Sequence, residues 1–398
     1  MAAIAFDHLT ATCRRLWPML AGLGAVMLAG LAAALFMEAQ GHRVTGMTNR
    51  VPWGLPHVFA YFLILAASGA LNVAMVASVF RRAAYKPLAP FSALLATALL
   101  AGGLSVLVLD LGRPDRLLLT VAHPNPRSIF AYNIVLYNGF LAVTAAYLVT
   151  LLNRRFGRLG LAVGLTMIAF LWRFVLTTGT GTDLGVLVAR EPIHSAVMAP
   201  LFIAFSLAFG LAVFLLLLPA VAWLGGAPAD EALLQRLGRL LALFVGVSFY
   251  LAFVLHAINL YAPQTRPLER FLLLDGGPYT MLLWGGQVVV GTVLPLLLAY
   301  TGRPITAAAA VVLGGLATLY LYVIVGQAFP QPLLPGMRLS SSFGDGAVAG
   351  YQPSLAELLL GLGGMAIALL LVLAGCLLLR IMPVITSVRS AARPGSEA

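Results

Sequence analysis

Apolar residues in this chain come in long unbroken blocks, not in the three-to-four spacing of a helix that faces water on one side. Ten such blocks occur, at 16–36, 53–80, 87–110, 128–152, 160–180, 196–223, 239–261, 278–300, 305–328 and 355–380. At about 1.5 Å of rise per residue, each can cross a hydrocarbon core of about 30 Å. Strands of an outer-membrane barrel alternate apolar and polar positions and would not give such runs. The pattern predicts an all-α, polytopic membrane protein of ten transmembrane helices. The first block is too long for the core of a secretory signal and no small-residue cleavage site follows it, so it is expected to remain as a span.

Composition agrees. Of 398 residues, 61% are hydrophobic and 9% charged, whereas a soluble domain carries about 25% charged residues. Only Cys13 and Cys376 are present, which excludes a disulfide scaffold. The charges sort by side. Fourteen Lys and Arg fall on the side of the termini, among them Arg14, Arg15, Arg154, Arg155 and Arg380, and nine fall on the other, among them Arg43, Arg113 and Arg116. The positive-inside rule then puts both termini in the cytoplasm. The net charge of +11 is a matter of topology, not of nucleic-acid binding.

No soluble domain interrupts the series, so residues 1–398 form a single integral membrane domain. The outer loops 37–52, 111–127, 181–195, 262–277 and 329–354 are long and rich in Pro, Gly and mixed charge. Loops of that kind dock a partner or roof a site.

Ionisable and amide groups within spans are costly and mark function by default. His57 is about 6 Å below Trp53, Asn133 and Tyr137 are about 8 and 13 Å below Ser128, and His256 is about 8 Å inward from Tyr261. Arg173 falls about 8–12 Å from the outer end of the fifth block, and Asp110 closes the third. These groups form one layer near the outer face. His57 with Tyr61, and Asn133 with Tyr137, are four residues apart and share a helix face. Such faces offer donors, acceptors and a titratable imidazole between apolar walls, which is what a quinone head group needs. Structural readings stand beside this one: His57 and His256 as ties between packed helices, Arg173 as the partner of Asp110 or Asp183, and Asn133 as a helix-to-helix bond. The runs Gly102-Gly103 and Gly361-Leu362-Gly363-Gly364 are read as close helix contacts.

The most specific motif follows the third block: Leu109-Asp110-Leu111-Gly112-Arg113-Pro114-Asp115-Arg116, then His123-Pro124-Asn125-Pro126-Arg127-Ser128. It reads as a helix end, a Gly-Arg-Pro break and a rigid re-entry. With the preceding Pro52-Trp53-Gly54-Leu55-Pro56-His57 helix and the ten-span plan, it resembles the NrfD/PsrC family of quinol-interacting membrane subunits, and in layout the larger members such as the hydrogenase-associated HybB. The resemblance implies two four-helix bundles, at 53–180 and 196–328, flanked by a first helix and outer loop at 16–52 and a last helix at 355–380. It also implies a non-covalent quinone (menaquinone or ubiquinone) near the outer face, no haem, no metal ligands, and a periplasmic iron–sulfur partner over the outer loops. Carried onto this chain, the pocket residues are His57, Tyr61, Asp110, Asn133, Tyr137 and Arg173, with His57 and Asp110 handling protons. Where the family has a Trp after the Ser, this chain has Phe130 and Tyr132. Overall likeness points to sulfur metabolism.

Other readings stay open at this point. One is a b-type cytochrome with haem held by His57 and His256, or by His194. Another is a secondary transporter using Arg173 and Asp183, although transporter sites sit nearer the midplane than this layer. A third is a membrane anchor without a redox site.

Overall fold

The computed structural model describes residues 6–7, 9, 13–80, 82–125, 127–153, 161–187, 194–226, 229–330 and 346–383. The basic connection at 154–159 and the loop segments carrying Arg190 and Arg338 lie outside the described residues. Among the described residues, ten helices are long and apolar enough to cross a membrane: Arg14–Gln40, Leu55–Ser78, Tyr85–Leu109, Ile129–Leu152, Val163–Gly185, Met198–Leu224, Glu231–Tyr261, Pro278–Tyr300, Pro304–Ala328 and Leu355–Leu378. The chain is an all-α polytopic membrane protein. The one strand pairing among the described residues is two residues long, Phe6–Asp7 antiparallel to Met382–Pro383, and it brings the two ends of the chain to the same side.

Two helices differ from the hydropathy reading. Span five runs on to Gly185, through a Thr-Gly repeat that looks like a helix breaker. The hydroxyls of Thr177, Thr180 and Thr182 donate back to the carbonyls of Arg173, Leu176 and Gly179, so these polar side chains are satisfied within the helix and it continues. Span seven begins at Glu231, ahead of the apolar block. Asp230 caps it by accepting from the amides of Ala232 and Leu233. Its first turns are amphipathic, with Leu234 and Leu237 buried and Arg236 and Arg239 more exposed, so the helix extends past the apolar block.

Spans two, three, four and five pack around one another, as do spans six to nine. Spans one and ten pair against each other, and span ten also lies along spans two and three. Water drives none of this inside a bilayer, so close van der Waals fit must. Spans two and six meet at Gly69 and Gly210, where a Cβ on either would overlap the other helix's backbone. Gly102 lies against Gly364, Gly30 against Gly363, and Gly361 takes the Phe59 ring. The glycine runs are therefore helix contacts. Span two is the most enclosed helix of the ten, and its N-terminal end carries His57.

The second group has an unusual backbone. Residues Phe271–Asp275, Leu282–Val293 and Leu321–Val325 wind as π-helix, a widened turn that recurs at functional sites.

Candidate functional site

His57 is set by a break and a clamp. Gly54 is extended and Pro56 opens the helix, so the His57 amide closes the first turn on the Gly54 carbonyl at 3.2 Å. Just outside, Trp53 stacks on the imidazole at 5.9 Å between ring centres, and Phe130 meets the indole edge-on at 5.8 Å. Phe130 thus lies in the outer aromatic wall, in the stretch where the family Trp is missing. The backbone of Trp53 is held by Gln327 of span nine, and the Leu55 amide donates to the Tyr351 hydroxyl at 2.6 Å. Tyr351 donates in turn to the fully buried Glu357 at 2.7 Å. Glu357 also accepts from the amides of Gly46 and Ser354, the latter closing a capping box at the start of span ten. Burial and the Glu357 contact push the Tyr351 phenol well above its ordinary range, so it remains a donor.

Asp110 arrives from the adjacent helix. It caps span three, and Gly112 at φ +69° turns the chain away, the left-handed conformation that a helix end asks of glycine. His42 lies over Gly112, where a Cβ would meet its ring. His57 Nδ1 and Asp110 Oδ2 are 3.1 Å apart, with the carboxylate side chain 1% exposed. The approach is an ion-pair distance without hydrogen-bond alignment, and both Asp110 oxygens are buried with no completed hydrogen bond in the protein. Burying a carboxylate that way is costly unless a proton or a donor meets it.

A second polar level lies beneath. Tyr61 sits one turn below His57, and Tyr137 and Thr180 share a hydroxyl hydrogen bond at 3.3 Å. Asp183, buried on span five, faces Asn133 and Tyr137. Both side-chain polar atoms of Asn133 and Oδ1 of Asp183 are buried without an aligned partner. Asp183 belongs to this cluster, although sequence reasoning placed it only with Arg173, as its ion-pair partner or beside it in a transporter site. Arg173 sits apart. With span five ending at Gly185, it is about 18 Å from that end of the helix, deeper than the shorter apolar block implied. Its guanidinium lies 4.1 Å over the Phe174 ring and 5.4 Å over Phe170, and it forms no ion pair with Asp110 or Asp183.

His256 is not alone on its face. Its Nδ1 meets Glu269 Oε1 at 2.7 Å, and its ring stacks on Tyr322. Glu269 comes from the connection between spans seven and eight, which folds inward and buries it. His57 and His256 therefore each have their own carboxylate, in separate helix groups. The rings of Phe202, Phe205 and Tyr322 run in series between Tyr61 and His256.

Over the first site, Arg113 forms a two-armed pair with Asp115, at 3.0 and 3.1 Å, and not with Asp110. The guanidinium holds the Asp115 carboxyl below the usual carboxylate range. The following short helix, Leu117–Ala122, leaves Leu118, Leu119 and Val121 exposed.

Residues 43–331, spanning helices two to nine, match the family model described as polysulphide reductase, NrfD. This chain belongs to the NrfD family. It is similar over nearly its whole length to subunits of oxidoreductases and reductases from three organisms. One is the Hdr-like menaquinol oxidoreductase integral membrane subunit of Archaeoglobus fulgidus, 28% identical over 91% of this chain and 92% of that one. Another is the C subunit of selenate reductase from Mesobacillus selenatarsenatis, 25% identical over 88% and 90%. The third is the membrane C subunit of a putative dimethyl sulfoxide reductase from Halobacterium salinarum, 27% identical over 91% and 90%. In this NrfD chain the matched stretch contains both histidine–carboxylate pairs, while spans one and ten flank it.

Proposed function

We propose that this NrfD chain is the membrane subunit of a respiratory redox complex, exchanging electrons between the quinone pool and a periplasmic iron–sulfur partner. The observation that carries the reading is the buried Asp110 carboxylate facing His57 at the end of two helices, its oxygens without completed hydrogen bonds. A titratable pair of this kind, beneath a Trp and a Phe and above an unsatisfied Asn133, fits a quinone head group. The name of the Archaeoglobus relative, a menaquinol oxidoreductase subunit, supports the same ligand class, and the two reductase subunits support a place within a multisubunit complex.

A bound quinone supplies two-electron, two-proton chemistry. His57 holds or passes a proton at Nε2 while Nδ1 faces Asp110, which stabilises the charged imidazolium. Asp110, at the helix end under the Gly-Arg-Pro turn, hands protons to the outer side. Asn133 and Tyr137 orient the head group, and Tyr61 lines the wall between them and His57. Arg173, seated on two aromatic rings, places a positive charge beneath that layer.

With both termini cytoplasmic, as the basic inner side supports, the layer opens toward the outside. The outer loops, including the apolar helix after Arg116, then form the docking face for the partner. Overall likeness to DsrP, from the sulfur-metabolism complex with DsrM, DsrK, DsrJ and DsrO, supports a role in sulfite or sulfide metabolism.

The test is a reduced-minus-oxidised visible spectrum of the chain purified in mild detergent, with quinone extracted from the same sample. Roughly stoichiometric quinone without haem bands is the expected result. A sharp haem α-band would overturn the reading.

A further inference from the structure

The second helix group holds a buried polar cluster that quinone exchange at His57 leaves unused. Glu269 is fully buried and bonded to His256 Nδ1, yet its Oε2 and the Nε2 of His256 have no hydrogen-bond partner in the protein. Gln287 Oε1 is in the same position, and the Tyr322 hydroxyl faces Gln287 without an aligned bond. These side chains come from spans seven, eight and nine and from the connection between spans seven and eight. They share one cavity of about 20 Å³ with Asn259 of span seven, and its remaining wall is Gly326 and a set of apolar side chains that includes Leu255, Leu268 and Val325. A void of that size takes a water molecule and is too small for an aromatic ring.

A second cavity, of about 30 Å³, adjoins the first at Gln287 and adds Ser248, Thr292 and Thr318. Each of those hydroxyls donates to a carbonyl of its own helix, at 2.8, 3.0 and 2.7 Å, and so keeps lone pairs for another donor. The two cavities thus run inward from His256 as a polar track through an apolar group. Its walls are where the backbone widens: Gln287 and Thr292 sit on one π segment and Tyr322 on another.

A carboxylate with no exposed surface, next to a neutral imidazole, is costly at this depth, and a proton on the pair or a bound donor relieves it. Among the described residues, the titratable groups facing the pair are its own two members and Tyr322. The cations on the same connection are turned elsewhere, Arg266 to the carbonyls of Leu260 and Tyr261 and Arg270 to Asp275. We propose that His256 and Glu269 form a second proton-binding site, separate from His57 and Asp110 and hydrated by water held in the two cavities that meet at Gln287.

The experiment is a pH-induced infrared difference spectrum of the full chain in lipid, recorded in ordinary and in ¹⁸O water. The expected result is a protonated-carboxyl or imidazole band lost in Glu269→Gln, and a sharp buried-water band, sensitive to ¹⁸O, lost in Gln287→Leu. Both bands persist in His57→Ala, whose quinone content falls, so this site and the quinone reading fail separately. A spectrum unchanged by Glu269→Gln, or a water band that survives Gln287→Leu, would overturn the proposal. So would quinone lost from Glu269→Gln but retained in His57→Ala, which would make the ligand a quinone. Should Glu269→Gln not fold, His256→Gln gives the same reading: its carboxyl band must shift.

Discussion

Gln327 of span nine makes two hydrogen bonds to the backbone of Trp53, accepting from its amide and donating to its carbonyl, both at 3.0 Å. A third, to the Val323 carbonyl at 2.6 Å, fixes the side chain on its own helix. The residues that stack over His57 are thereby anchored to the other helix group. Gln327→Leu keeps the volume and removes all three bonds. It is expected to cost about 1–3 kcal/mol of stability and to lower the quinone retained through purification, because Trp53 is no longer held against the imidazole. Thermal unfolding in detergent and quinone extraction check the two effects together. Unchanged quinone content would show that the Trp53 stack is not part of the pocket.

Gly54 is a second point of anchoring. A Cβ there would meet the Glu357 carboxylate, the Tyr351 hydroxyl and Met47. Gly54→Ala must therefore displace the hydrogen-bonded group that caps span ten and holds the Leu55 amide. We expect a loss of about 1–3 kcal/mol, seen as a lower midpoint of thermal unfolding, while Gly22→Ala, inside the first helix with open space around it, does not lower the midpoint and should raise it slightly.

The helices and the His57–Asp110 layer were legible in the sequence because apolar length sets spans and rise per residue sets depth. What escaped was whatever depends on how connections fold. Glu269 sits in a Thr-Arg-Pro-Leu-Glu-Arg stretch that reads as an outer loop, and only the inward fold of that loop delivers it to His256. Asp183 and the depth of Arg173 were obscured because Thr-Gly repeats end a hydropathy block without ending the helix. Glu357 did carry a readable signal, the Ser354-x-x-Glu357 capping box, but its reach to Tyr351 and Gly46 is set by tertiary packing.

The Arg113–Asp115 pair is solvent-exposed, so Arg113→Ala should leave the unfolding midpoint of the isolated protein unchanged. If the turn docks a partner, the same change should weaken complex assembly, and added salt should weaken the native complex in the same way. The pH dependence has a definite sign. The Asp115 carboxyl is held low by Arg113, so the pair is intact above the ordinary carboxylate value of about 3.9 and is lost only as pH falls through the lower folded value. Co-purification of the complex across neutral pH should therefore be flat. A fully assembled Arg113→Ala complex at high salt would remove the turn from the docking face.

His57→Ala and Asp110→Asn separate chemistry from assembly. His57 is partly exposed and Asp110 has no completed hydrogen bond to lose, so neither change should prevent the ten helices from packing. In Asp110→Asn the buried negative charge disappears, which if anything lowers the cost of burial, while the partner that stabilises a protonated His57 is gone. Proton transfer by a positioned side chain contributes about 10²–10⁴-fold, and a loss of that order is expected in quinol-dependent reduction of the partner protein in both variants. The measurement is turnover with a soluble quinol analogue in complexes shown by gel filtration to be intact. Asp110→Glu, which restores the charge, should recover part of the rate, a recovery that a purely structural role for Asp110 would not give. Normal turnover in both variants would take the proton-handling role away from this pair.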